Sequence, residues 1–250
     1  MKIKTVLLFL TAITYSLSLS ANLIRSSISA KLEKFTSADS RPHAAIVEYL
    51  EGDGKSFSSI PYSPTMEDVI IVKYSLLSSL QNDGCVFGVS HPNSARIGFG
   101  VWHSRNSNRL SRQQIYSFVG GSSGGEFGSW LSGEANQTKP IYCIIDYPNK
   151  HYIDCNNQTF SLPSSVDVVP SSFIGLFCIC SVSGNSAWCG PSKLRIYSFQ
   201  VVRNDEVIID LMPIRIGEEG FFFDAKSGEI YENIGTGTFS VGPDMEVLEI

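Results

Sequence analysis

From Ala44 onward the apolar residues come in short alternating runs, each cut by Gly, Pro, Asn or Ser, and no stretch of ten or more residues carries the period of an amphipathic helix. Alternation sends every second side chain to one face of an extended chain. About fifteen such runs therefore make sheets with faces to hide, and two stacked sheets hide them most economically. The expected strands are Ala45–Leu50, Lys55–Ser58, Val69–Ser75, Gly84–Val89, Ile97–Trp102, Gln114–Val119, Pro140–Asp146, Tyr152–Cys155, Gln158–Leu162, Ile174–Cys180, Leu194–Arg203, Val207–Pro213, Gly220–Asp224, Ile230–Tyr231 and Phe239–Ser240. Arg203-Asn204-Asp205-Glu206 is expected as a tight turn, and Pro148-Asn149, Gly52-Asp53-Gly54 and Lys226-Ser227-Gly228 as further turns. Gly120-Gly121-Ser122-Ser123-Gly124-Gly125 has neither the Lys nor the following helix of a phosphate loop and reads as a flexible loop.

With 43% apolar and 17% charged residues, the 250-residue chain has ample core material, enough for one all-β unit. A net charge of −5 excludes the broad basic footprint of a nucleic-acid binder. The most basic stretch, from His103 to Arg112, holds Arg105, Arg109 and Arg112 and reads as a solvated loop.

The first residues have the layout of a secretory signal: Lys2 and Lys4, an apolar run from Val6 to Ile13, then small residues at Ser18, Ser20 and Ala21. The run is short for a membrane span. The expected organisation is a signal peptide over 1–21, a polar spacer over 22–43, one β-domain over 44–243 and a mobile C-terminal tail over 244–250. On that reading the protein is secreted or held at the cell surface, with no membrane insertion after signal cleavage. Asn136-Gln137-Thr138 and Asn157-Gln158-Thr159 are glycosylation sequons that matter in a eukaryotic source.

Six cysteines fit an exported chain with disulfides. Cys143 and Cys155 stand symmetrically about the turn at 147–151, and Cys180 and Cys189 flank the polar loop 181–188, so each pair is a candidate bridge. Cys85 and Cys178 remain, either paired or as buried thiols. Cys178-Ile179-Cys180 lacks zinc spacing and has no His cluster beside it.

Three segments carry a family resemblance. Val47-Glu48-Tyr49-Leu50-Glu51-Gly52-Asp53-Gly54-Lys55-Ser56-Phe57, followed by Ile60-Pro61-Tyr62, is similar to an opening pair of strands in which a Tyr-Leu-Glu run leads into a Gly-containing turn. Ile144-Ile145-Asp146 through Tyr152-Ile153-Asp154 is similar to a central hairpin, with Cys155 where Gly is common. Lys193-Leu194-Arg195-Ile196-Tyr197-Ser198-Phe199, Val207 to Pro213, Gly220-Phe221-Phe222-Phe223-Asp224, Glu229-Ile230-Tyr231 and Gly235-Thr236-Gly237-Thr238-Phe239 follow in the order of a set of closing strands. Together they resemble the concanavalin A-like, laminin-G-like jelly-roll domains of bacterial and phage-associated surface proteins. The resemblance implies an all-β, two-sheet antiparallel jelly-roll sandwich whose terminal segments, near Ala44 and near Phe239, lie side by side.

Members of that fold bind sugars, mediate adhesion or cleave glycans, so fold alone does not choose. The expected function is a non-catalytic binding module for a glycan or other cell-surface ligand. The candidate contacts are Trp102, His103, Arg105, Trp130 and Trp188, because a sugar is held by stacked aromatic rings and by polar groups on its hydroxyls. Adhesion through a protein partner is the alternative. A glycoside hydrolase is the second alternative, disfavoured because Glu-x-Asp-x-x-Glu is absent; Glu48, Glu51 and Asp53 come nearest, in the wrong order. No G-x-S-x-G elbow occurs, and none of His43, His91, His103 and His151 belongs to a metal-spaced pair. No cofactor is expected beyond Ca²⁺ at the domain rim, where the resemblance offers Asp83 or Asp167.

Overall fold

The computed structural model describes residues 43–77, 84–91, 94–105, 112–119, 125–132, 139–153, 159–161, 173–181, 183–184, 186–189 and 191–248. Every regular element among them is a β-strand. In chain order these are β1 (Ala44–Val47), β2 (Leu50–Gly52), β3 (Ser58–Ile60), β4 (Asp68–Leu76), β5 (Gly84–His91), β6 (Ser94–Arg105), β7 (Arg112–Val119), β8 (Gly125–Ser132), β9 (Ile141–Asp146) and β10 (His151–Ile153). The rest are β11 (Thr159–Ser161), β12 (Ile174–Leu176), β13 (Ile179–Cys180), β14 (Ala187–Cys189), β15 (Leu194–Arg203), β16 (Glu206–Ile216), β17 (Glu219–Asp224), β18 (Ile230–Tyr231), β19 (Phe239–Val241) and β20 (Asp244–Leu248).

They form two sheets. The first has the order β11-β10-β9-β4-β15-β16-β1-β20, with β17 and β18 alongside β16 and with β2 and β19 alongside β15. The second has the order β14-β13-β5-β6-β7-β8, with β12 and β3 joined to β5. The strands from the two ends of the domain are neighbours: β1 pairs with β20, and β2 with β19. All pairings are antiparallel except that of β13 with β5.

The core lies between the sheets because both turn their apolar rows inward. Ile70, Val72, Tyr74 and Leu76 of β4 and Leu194, Ile196, Phe199 and Val201 of β15 meet Val86, Phe87, Val101, Ile174 and Leu176 from the second sheet. Phe87 and Phe199 cross the gap edge to face, with ring centroids 5.3 Å apart. Phe177, Phe222 and Phe239 close one end of this core. The run Phe221-Phe222-Phe223 breaks alternation because β17 is buried on both faces. Phe222 joins the main core, while Phe221 and Phe223 join a smaller cluster with Ala44, Ile46, Ile214, Ile216 and Leu248 on the other side of the first sheet.

The expected turns have physical causes. Asn204 and Asp205 both have positive φ, 51° and 62°, which matches the right-handed twist of β15 and β16. Asp53 organises the turn after β2: its Oδ1 accepts from the N–H groups of Lys55 and Ser56, and its Oδ2 accepts from Thr238 N–H at 3.0 Å. That carboxylate ties the opening segment to Gly235–Phe239, and Asn233 adds bonds to Phe57 N–H and Gly237 C=O.

Several expectations are corrected. Ile174–Cys180 is not one strand, because Phe177 at φ 68° turns the chain between β12 and β13. Asp244–Leu248 is not a mobile tail but an edge strand on β1, with Leu248 buried opposite Ala44. Gly125, expected in a loop, opens β8, a strand whose weak alternation hid it from the sequence reading. No disulfide joins Cys85, Cys143, Cys178 or Cys180. The β9–β10 register pairs Ile144 with Ile153 and Ile145 with Tyr152, so the hairpin is centred half a residue earlier than the Cys143–Cys155 symmetry requires; Cys155 lies outside the described residues. Likewise Cys180 pairs with Ala187, and Cys189 faces Ile179 instead. Cys85 and Cys178 are buried. Residues 1–42, the sequon asparagines Asn136 and Asn157, Asp83 and Asp167 also lie outside the described residues.

Candidate functional site

The outward face of the first sheet carries the most developed polar–aromatic group among the described residues. Because Ile70, Val72 and Tyr74 point inward, Lys73 and Ser75 point outward. Register then aligns their neighbours: Lys73 is opposite Tyr142 on β9, Ser75 is opposite Arg195 on β15, and Arg195 is opposite Glu51 on β2. A bulge between Ile196 and Ser198 turns Tyr197 toward the same group. Six strand-borne side chains and Tyr49 thus meet although the sequence scatters them from 49 to 197.

The contacts are specific. The Arg195 guanidinium lies 4.2 Å from the Tyr49 ring centroid, and its Nε donates to Glu51 Oε2 at 2.7 Å. Tyr49 and Tyr197 pack edge to face at 5.5 Å. Lys73 Nζ stands between the Tyr142 and Tyr197 rings, 5.7 and 5.5 Å from their centroids. The Tyr197 hydroxyl is within 3.2 Å of Ser75 Oγ. Burial would lower the Arg195 pKa, but its bond to Glu51 and the nearby tyrosines outweigh burial and raise it. Tyr142 is 39% exposed, one of four large apolar side chains that are exposed among the described residues, with Ile234, Met245 and Val247. The group therefore offers a ring open to solvent beside an ammonium, a guanidinium and a carboxylate, all held by cross-strand contacts. Among the described residues the ion pairs engage Arg195, Arg203 and Arg215, and leave the Lys73 ammonium for hydration or a ligand.

The residues expected from sequence fall elsewhere. Trp102, His103 and Arg105 lie on β6, Trp130 on β8 and Trp188 on β14. Along the β6–β7–β8 register Trp102 is opposite Tyr116, and Trp130 is opposite Gln114, which faces Ser104; Trp102 and Trp130 thus share one parity, while His103 and Arg105 have the other. β14 and β8 are the two ends of the second sheet's order, about 24 Å apart at ordinary strand spacing, so Trp188 and Trp130 do not share a site. Of the three carboxylates nearest a glycosidase pattern, Glu48 is exposed, Glu51 is paired with Arg195, and Asp53 is occupied by the turn. Among the described residues no group of three or more His, Cys, Asp or Glu is placed to hold a metal ion, and no helix is long and apolar enough to cross a membrane.

The tyrosine–cation group had only a faint sequence signal. Tyr142, Lys73 and Arg195 each occupy an outward position in a strongly alternating strand, but nothing local says that these positions align. No family model and no curated protein matches the chain. A similar solved structure is the native heptameric SAP-like pentraxin from Limulus polyphemus, at 11% identity, covering 69% of this chain and 80% of that one with a TM-score of 0.42.

Proposed function

We propose that this protein is an exported, non-catalytic glycan-binding module with a jelly roll of the concanavalin A-like kind, and that the tyrosine–cation group on the outward face of its first sheet is the sugar-contacting surface. The observation that carries this reading is the Tyr142 ring, open to solvent and in register with Lys73 beside the Arg195–Glu51 pair. A pyranose laid on that ring covers its apolar C–H face, while Lys73, Arg195 and Glu51 reach its hydroxyls. Donors and an acceptor converging beside an aromatic surface match what a sugar presents better than what a purely apolar ligand presents.

The test is a glycan-array screen of the purified protein with and without Ca²⁺, repeated on Tyr142→Ala and Lys73→Ala. Selective binding that both substitutions weaken at unchanged melting temperature supports the reading. Absence of binding, or binding untouched by Tyr142→Ala, refutes it. The protein-docking alternative rests on one observation of its own: the edge strand β20 exposes Met245 and Val247, at 66% and 54%.

A further inference from the structure

The reversal between β12 and β13 brings two thiols together in a way no expected bridge used. Leu176 pairs antiparallel with Phe87, yet Ile179 pairs parallel with Gly88, so the chain direction reverses through Phe177 and Cys178. Phe177 holds φ 68°, which a bulky residue adopts only where its surroundings impose it. Here its N–H donates to Val86 C=O at 2.8 Å, its C=O accepts from Ser192 N–H at 2.9 Å, and its ring is packed against Phe222 and Phe239. Cys178 and Cys180 follow, both fully buried, with their Sγ atoms 3.8 Å apart. Gly175 makes the space: a Cβ there would stand 2.7 Å from Cys180 Sγ and 2.8 Å from Cys178 C=O and from Cys180 N.

We propose that Cys178 and Cys180 are a disulfide-forming pair, closed by exchange with an oxidised glutathione-type disulfide, and that the bond clips the short loop 178–180 that directly follows the turn at Phe177. A disulfide needs its sulfurs about 2.0 Å apart, so the pair closes with roughly 1.8 Å of approach. The Cys180 thiolate attacks one sulfur of the oxidant, expels one thiolate and forms a mixed disulfide. Cys178 then gives up its proton and attacks the Cys180 sulfur, expelling the second. Two protein thiols are oxidised by two electrons, and one oxidant disulfide becomes two thiols. The hydrogen bond with Cys178 lowers the Cys180 pKa against the opposing effect of burial, which favours Cys180 as the first nucleophile. Because both thiols are enclosed, exchange takes place while the chain folds or this segment opens.

The test is oxidative refolding of the full chain in a reduced/oxidised glutathione buffer, alkylation of remaining thiols, and chymotryptic peptide mapping. Cleavage after Phe177 and Trp188 releases Cys178–Trp188, which contains no other cysteine. The expected peptide is two hydrogens lighter than the dithiol and unalkylated until reduced. A peptide alkylated on both cysteines, or bridged to Cys85 or Cys189, overturns the proposal. In a variant with Ala at Cys85, Cys143, Cys155 and Cys189, oxidation should raise the melting temperature by about 3–6 °C, the modest effect of closing so short a loop. No rise overturns the clip.

Discussion

Replacing Asp68 by Asn tests how far a single buried carboxylate supports the start of β4. The Asp68 side chain is fully buried; its Oδ1 accepts from Arg203 Nε at 2.8 Å, and its Oδ2 accepts from Thr65 N–H at 2.7 Å, from the Tyr62 hydroxyl at 2.8 Å and from Arg203 Nη2 at 3.3 Å. An amide has one acceptor oxygen. With that oxygen at the Oδ2 position, the NH₂ faces Arg203 Nε–H; flipped, it faces Thr65 N–H and Arg203 Nη2–H. Either orientation sets donor against donor and removes the charge. Hydrogen bonds to charged groups contribute about 1.5–3 kcal/mol. The cost of a broken buried pair, about 3–5 kcal/mol, is tempered because Arg203 is 31% exposed and can rehydrate. We therefore expect Asp68→Asn to lose about 2–3 kcal/mol, seen as an unchanged urea m-value and a melting temperature lower by roughly 5–10 °C. Asp244→Asn is the control. It breaks the Arg215–Asp244 pair, which has a short 2.6 Å contact but lies at the surface, and should cost under about 1 kcal/mol. An Asp68→Asn melting temperature within a degree of wild type would refute the argument that this network is held by its charge.

Two further expectations concern turns. Burial opposes ionisation of Asp53, but the N–H groups of Lys55, Thr238 and Ser56 outweigh it and lower its pKa. A carboxylate whose folded pKa lies below its unfolded value, about 3.9, adds stability that is present above that pH and is lost as pH falls through the folded value. Wild type should therefore lose more stability than Asp53→Asn between about pH 5 and pH 2, read by denaturant titrations along the series; parallel curves would exclude Asp53 as a contributor. At the β15–β16 turn, Asp205 sits at φ 62° after Asn204 at φ 51°. Asp205→Gly should raise stability by about 0.5 kcal/mol, whereas Asp205→Val should lower it by more than about 1 kcal/mol, both measured by equilibrium unfolding.

How legible each element was follows from how local its cause is. β15 was legible to the residue because Leu194–Arg203 is a long run rich in β-branched and aromatic residues, largely alternating, and ends in a turn whose residues tolerate positive φ. β18 has its expected bounds as well. β20 was missed because its exposed Met245 and Val247 and its charged neighbours look like a tail; it is a strand only because β1 lies beside it. The break at Phe177 was missed for the opposite reason. Ile174 to Cys180 is uniformly apolar, and the left-handed turn is imposed by Val86, Ser192 and two phenylalanine rings from elsewhere in the chain.

The sequence by itself determined that this protein is all-β, that its strands bury one face or both, and where most of its turns lie, because side-chain period and turn chemistry act over two to four neighbouring residues. Only the tertiary structure decided what faces what. Register between distant strands placed Cys189 opposite Ile179 and not Cys180, separated Trp188 from Trp130, and gathered Tyr49, Lys73, Tyr142, Arg195 and Tyr197 into one group. A one-residue slip in any of those pairings would move every outward side chain of a strand to the other face. The candidate site is therefore a property of how strands from opposite ends of the chain pair, and no short stretch of sequence contains it.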